Sequence, residues 1–298
     1  MGNIDKYLLQ YANKRYQEGR GLMKSDKVKQ LVSERYGRFA VAVLAHGATP
    51  CCLQAQPGSG YAPDQGLYSE EELASIPPLA LALSRGCGNP TSFARLQDRE
   101  TVVDLGCGGG IDLILAGRRV GPGGRVLGVD FAPEMLERAR LCVEECGLEN
   151  VELAPGNVES LPLPNGGADA VISNCVINLV PDKEAVYREA FRVLRPGGRI
   201  AISDIVTSCQ LEPDLRTRFQ DTWAGCLGGA MEEGAYLGLI QATGFGNMEL
   251  IARHVLSPEE LQGMVQCPGS DFTPSPLPED LAAVVGKVLS IKFRATRR

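Results

Sequence analysis

Two sets of residues in this 298-residue chain could do chemistry. The first is the run Val102-Val103-Asp104-Leu105-Gly106-Cys107-Gly108-Gly109-Gly110, where a short apolar stretch enters a glycine-rich turn. Glycines at 106, 108 and 110 let the backbone bend sharply and let a ligand lie against it. Asp130 ends the next apolar run, 20 residues after Gly110, where an acid can accept hydrogen bonds from ribose hydroxyls. A dinucleotide fingerprint, G-x-G-x-x-G counted from Gly106, would need glycine at 111, where Ile111 stands. The pattern is D-x-G-x-G-x-G instead, and its leading Asp104 suits a cationic group such as an amino-acid ammonium. These residues predict a site for a nucleoside-type cofactor with a positively charged part.

The second set is thiols. There are 10 cysteines, at 51, 52, 87, 107, 142, 146, 175, 209, 226 and 267. In a cytosolic chain of this size they do not read as a disulfide framework. No C-x-x-C occurs, and Cys142 and Cys146 have no second pair to complete a zinc site. Only His46 and His254 are present, which leaves little for a histidine metal centre or a Ser-His-Asp relay. Most of the cysteines read as small buried hydrophobes. Cys107 reads as filler in the glycine loop, Cys142 and Cys146 as structural, and Cys209 and Cys267 as incidental. Cys175 differs: it stands just past the apolar run Ala168 to Asn174, at the strand end where open α/β sheets bind ligands.

The elements that must position these groups alternate. Strands are expected at Thr101–Leu105, Gly124–Val129, Val151–Ala154, Ala168–Asn174 and Arg199–Ile205, with helices at Asp112–Arg119, Pro133–Cys146 and Lys183–Leu194. Such alternation implies parallel pairing with right-handed crossovers. Helix Pro133–Cys146 begins on proline and ends before Gly147, and the one from Lys183 stops at Pro196-Gly197-Gly198. Further on, a helix is expected at Glu232–Thr243 and strands at Met248–Val255 and Val288–Ala295, with a proline-rich irregular stretch over 256–280. Upstream, Val28, Leu31, Val32 and Arg35 form an amphipathic stripe. Residues 47–66 read as a loop carrying Cys51-Cys52, and Ser69 with Glu72 as a capping box. The organisation expected is an N-terminal helical and loop extension (1–65), a cofactor-binding α/β domain (66–210) and a smaller C-terminal region (211–298) that completes the sheet.

Composition narrows the class. A hydrophobic content of 44% supports a full core, and a net charge of -6 argues against a non-specific nucleic-acid binder. No apolar run approaches the roughly 20 residues of a membrane span, and no secretory signal is visible. The expectation is a cytoplasmic, monomeric protein with no membrane or nucleic-acid partner.

Asp104 to Gly110, Gly128-Val129-Asp130, Gly156-Asn157-Val158-Glu159 and Leu194-Arg195-Pro196-Gly197-Gly198 resemble the successive motifs of class I S-adenosylmethionine-dependent methyltransferases. The resemblance implies a doubly wound, mostly parallel, Rossmann-like sheet of seven strands with the last antiparallel. It implies a cofactor set of Asp104, Gly106, Gly108, Gly110, Asp130, Phe131, Asn157, Val158 and Asn174. Methionine would lie by Asp104 and Gly106, ribose on Asp130, and adenine by Phe131, Asn157 and Val158.

Four further segments are similar to the arsenite methyltransferase family: Tyr68-Ser69-Glu70-Glu71-Glu72-Leu73, Gly86-Cys87-Gly88-Asn89-Pro90, Ser173 to Leu179 around Cys175, and Gly225-Cys226-Leu227-Gly228-Gly229-Ala230. This resemblance covers roughly residues 65–245 and departs at Gly229, where the family often has an apolar residue. It implies arsenic detoxification: trivalent arsenic bound by Cys175 and Cys226, with Cys87 as third ligand or reductant. Cys52 (or Cys51) would join a thiol relay reset by thioredoxin or glutathione. Soft arsenic prefers sulfur, which supports the carry-over. A quinone- or sterol-like acceptor would want a general base, which the scarce histidines do not offer. A non-catalytic metalloid binder would have no use for the intact cofactor loop.

Overall fold

The computed structural model describes residues 25–45, 67–221, 225–265 and 278–298. Its strands are β1 (Thr101–Leu105), β2 (Arg125–Asp130), β3 (Val151–Pro155), β4 (Ala168–Asn174), β5 (Leu194–Thr207), β6 (Met231–Glu232), β7 (Phe245–Val255) and β8 (Val288–Arg297). One sheet runs β3-β2-β1-β4-β5-β8-β7, with the two-residue β6 added beside β5. β1 to β5 pair in parallel, and β8 is antiparallel to both β5 and β7. The seven-stranded sheet with a reversed last strand is therefore present, and β6 makes an eighth.

Val102, Val103 and Leu105 are buried on both faces of the sheet, as continuous apolar runs in parallel strands require. The covering helices, in chain order, are α1 (Ser25–Ala45), α2 (Glu70–Ala74), α3 (Pro78–Leu83), α4 (Pro90–Phe93), α5 (Ile111–Val120), α6 (Pro133–Glu145), α7 (Lys183–Val193), α8 (Pro213–Asp221), α9 (Glu233–Ala242), α10 (Pro258–Val265) and α11 (Pro278–Val284). Val103 and Leu105 pack with Tyr187 of α7 and Tyr236 and Ile240 of α9. Val102 packs with Leu113 and Val120 of α5 and Leu136 of α6. Two separate cores on opposite faces make the fold doubly wound.

The strand order reverses between β1 and β4. Such a switch point opens a crevice beyond the carboxyl ends of the strands. Leu105 pairs with Ser173, so the glycine loop after β1 and Cys175 after β4 leave adjacent strands side by side.

Several boundaries were legible. Ser69 and Glu72 form the full reciprocal capping box of α2. The described ends of the stretch 256–280 correct the expectation of irregularity there, while residues 266–277 lie outside the described residues. Pro258 and Pro278 open helices α10 and α11, because proline is well suited to a first helical turn. Ser257 and Glu260 cap the first of them reciprocally (2.6 and 3.2 Å). Leu256, Leu261 and Val284 are buried there. β5 also begins earlier than expected, at Leu194. Leu194 pairs with Ala168, and a bulge between Ala168 and Ala170 absorbs the Pro196-Gly197-Gly198 kink.

Candidate active site

The donor side is built from the loop after β1. Gly106 has φ +66°, and a Cβ there would meet Val176 at 2.4 Å. Gly108 has φ +51°, and a Cβ there would meet nothing within 4 Å. The loop therefore presents bare backbone to an open cavity of about 740 Å³, counting its mouth. Asp104, Gly106, Gly108, Gly110, Asp130, Phe131 and Asn174 all line that cavity. Asp130 accepts from the backbone N–H groups of Gly108 (2.9 Å) and Ala132 (3.0 Å). Asn157 and Val158 do not line it. Asn157 bonds Glu159 (2.7 Å), and Val158 is buried in the sheet core.

Asp104 is 2% exposed, and its Oδ2 has no hydrogen-bond partner. Burial, then the nearby carboxylates Asp112 and Asp130, push its pKa well up. A buried acceptor without a donor costs free energy unless a ligand supplies one. The ammonium of S-adenosylmethionine is such a donor, so the residues present fit that co-substrate.

Asp112 and Tyr68 were not singled out by sequence reasoning. Tyr68 donates to Asp112 (3.2 Å), and the Asn174 amide donates to Asp112 (3.0 Å) and to the Gly88 carbonyl (2.7 Å). Asn174 Oδ1 accepts from the backbone N–H groups of Cys87 (2.9 Å) and Gly88 (3.1 Å). Asn174 thus pins the Cys87 turn to the donor cavity, in addition to lining it. Burial raises the Asp112 pKa to about 6. The Tyr68-Ser69 motif pointed at a helix start, and only tertiary packing turned Tyr68 towards the cavity.

The thiol side is built from three separate loops. Cys175 has φ +64°, a left-handed conformation that a β-substituted residue rarely adopts, and its N–H donates to the Ser203 carbonyl (2.8 Å). Its thiol is an electrostatic neighbour of the Cys226 and Cys87 thiols in one buried cluster. Cys226 Sγ also donates to the Cys175 carbonyl at 3.0 Å. All three are buried, within one cluster with Val32, Leu179 and Leu227. Those thiol neighbours and burial raise the Cys175 pKa, and burial raises that of Cys87. Cys175 is the shared neighbour of the other two. Among the described residues no three His, Cys, Asp or Glu side chains converge closely enough to hold a metal ion together. The arrangement is two thiol pairs that share Cys175.

Gly229 explains why this chain departs from an apolar residue there. A Cβ would meet the Asn178 carbonyl oxygen at 1.8 Å, so the turn after Cys226 closes only on glycine. Cys107 is buried against Gly128, where a Cβ would meet its sulfur at 2.9 Å. It packs with Leu113 and Val126, away from the thiol cluster. Cys142 is in the core between α5 and α6, Cys146 is half-buried beside it, and Cys209 is exposed. Cys51, Cys52 and Cys267 lie outside the described residues. Cys107→Ser is expected to keep methyl-transfer turnover within about threefold of the parent chain, since a small buried filler changes little. Steady-state kinetics check this.

The methyltransferase-domain family matches residues 96–244, half of the chain. An arsenite methyltransferase of Halobacterium salinarum is 38% identical over 234 residues, 76% of this chain and 59% of that relative. The crystal structure of an arsenic(III) S-adenosylmethionine methyltransferase from Chlamydomonas reinhardtii is 30% identical, with a TM-score of 0.62. That match covers 75% of this chain and 71% of the other. The chain belongs to the arsenite methyltransferase family. It spans somewhat over half the length of the first curated relatives it matches, 59% and 55%. A demethylmenaquinone methyltransferase of Listeria welshimeri is 41% identical over only 110 residues, 37% of this chain. That relative shares a minor part of what the family shares. Within the arsenite methyltransferase family, the fold and the donor loop of this chain follow the methyltransferase pattern. No described helix is long and apolar enough to cross a membrane.

Proposed function

We propose that this protein transfers a methyl group from S-adenosylmethionine to trivalent arsenic held by Cys175 and Cys226, with Cys87 next to them as third ligand or reductant. One observation carries the reading: Cys175 lines the same cavity as Asp104 and Gly108, and it shares one buried cluster with Cys87 and with Cys226, whose Sγ donates to its carbonyl. S-adenosylmethionine, when bound, supplies an electrophilic sulfonium methyl group. Asp104 would hold its ammonium and Asp130 its ribose. The bare loop at Gly106 and Gly108 would let it lie close to the backbone.

The raised pKa of Cys175, from its thiol neighbours and burial, suits neutral arsenous acid. Two S–H groups and two As–OH groups condense to two As–S bonds and two waters, and no charge is buried. A divalent cation would instead require thiolates in a dry pocket, at a large desolvation cost. The arsenic lone pair then forms the As–C bond as the S–C bond of the donor breaks, and arsenic becomes formally pentavalent. The chain's part is to hold arsenic and methyl in attack geometry. A disulfide between Cys87 and a neighbouring cysteine would return two electrons to arsenic. Thioredoxin, or two glutathione thiols, would reduce that disulfide by exchange. Cys52 is the candidate to pass it on.

The decisive experiment supplies methyl-labelled S-adenosylmethionine, arsenite and thioredoxin with its reductase. Label is expected in methylated arsenicals. Arsenite binding without label transfer would leave a metalloid binder, and label in a demethylmenaquinone acceptor would leave a quinone enzyme.

A further inference from the structure

The helix α1 is an element of the site that the cofactor and thiol motifs do not account for. It lies against α6, where a Cβ on Gly37 would meet Glu134 at 2.6 Å. Lys29 pairs with Glu159, which also accepts from Asn157 (2.7 Å). Phe39 lies under the Arg85 guanidinium (3.8 Å to the ring centre), two residues before Cys87. The helix is thus tied to the loop after β3, to α6 and to the thiol-bearing turn.

Its inner face carries Val32, 1% exposed, and the half-buried Tyr36. Both line the donor cavity. Tyr36 packs on two apolar clusters at once. One holds Cys87, Cys175 and Cys226; the other holds Leu83, Ala132 and Met135 on the donor side. Its phenol has no hydrogen-bond partner among the described residues. Burial, then the nearby Cys226, raises its pKa, which keeps the hydroxyl a neutral donor beside the thiols.

We propose that Tyr36 is a substrate-contacting residue that closes the transfer chamber between the donor loop and the thiol pairs, and limits the size of the arsenical that fits there. The closure rests on geometry alone. The size limit rests on the arsenic reading, because it concerns the group arsenic keeps when two thiols hold it. That group is a hydroxyl in arsenite and a methyl in methylarsenite. A ring against the thiols restricts the space for either, and removing it relaxes the restriction. Water is also admitted, and the fixed approach of arsenic to methyl is loosened, an effect that can cost about a hundredfold in rate.

The test uses the full chain, with Tyr36→Phe and Tyr36→Ala. Amide exchange of α1 is measured with and without S-adenosylhomocysteine, and turnover is measured on arsenite and on methylarsenite. In the parent chain the product is expected to slow exchange across residues 29–43. Tyr36→Phe should retain this protection, and Tyr36→Ala should lose most of it. Tyr36→Ala should lower kcat on arsenite at least about tenfold, and raise the methylarsenite-to-arsenite ratio of kcat/KM at least about fivefold. Tyr36→Phe should leave that ratio unchanged. No product-dependent protection in the parent chain overturns the closure. An unchanged ratio in Tyr36→Ala, including an equal loss on both substrates with a lowered Tm, overturns the size limit. If the parent chain methylates neither arsenical, the function proposed above fails and the size limit falls with it. The exchange result then still decides the closure.

Discussion

Cys175→Ser is expected to abolish methyl transfer to arsenite, by at least about a thousandfold in kcat/KM, while S-adenosylhomocysteine binds within about threefold of the parent. Serine keeps the volume and the hydrogen bonding but replaces a soft ligand with a hard one. Cys175 is also the shared neighbour of both thiol pairs, so its loss breaks each of them. Its backbone adds a second arm. At φ +64° a glycine would be free of the strain that a side chain carries. Cys175→Gly is therefore expected to melt no lower than the parent, and also to be inactive. A serine variant that turns over arsenite normally would remove the residue from the ligand set. A glycine variant that melts far below the parent would show that thiol packing outweighs backbone strain at this position.

The second large effect concerns Asp104. Asp104→Asn is expected to weaken S-adenosylhomocysteine binding about 10- to 100-fold, the worth of a buried charge-assisted hydrogen bond of about 1.5–3 kcal/mol. The pH dependence is set by the sign of its shift. Burial and its acidic neighbours raise the folded-state pKa, so the free protein holds a proton there into the range where an ordinary aspartate has lost it. An ammonium favours the ionised form, so binding releases that proton and affinity rises with pH through the titration. Calorimetry in two buffers of different ionisation enthalpy reads the released proton, and Asp104→Asn should release less. Stability runs the other way. A group whose folded pKa is raised contributes stability that is full below its unfolded pKa and is lost as pH rises through the folded one. Ligand-free protein should therefore lose Tm as pH climbs through the titration of Asp104 and of Asp112, at about 6 for the latter. Asp104→Asn should flatten that fall. Proton uptake on binding, or Tm rising over that range, would contradict the assignment.

Much of this molecule was legible locally. β1 and β4 stand where the apolar runs placed them, Ser69 and Glu72 close their box, and the acids and glycines from Asp104 to Asp130 face one cavity. Each of these depends on neighbours within a few residues, or on one strand–turn–helix unit whose geometry a short motif specifies. The described ends of the proline-rich stretch 256–280, at Pro258 and Pro278, misled because a proline ends one helix and begins another by the same steric rule. Only the residues downstream of the proline, here a capping glutamate and buried leucines, decide between the two.

What the chain alone determined is therefore the donor loop, its strand and the parallel sheet around them, since periodicity and turn chemistry are local. Tertiary structure decided the rest. It gathered Cys87, Cys175 and Cys226 into one buried cluster, although the first and last are far apart in the chain. It made Asn174 the clamp on the Cys87 turn, and it laid Tyr36 between thiols and donor loop. Those contacts arise where β1 and β4 part at the reversal of strand order, and no local spacing encodes which distant side chains will meet there.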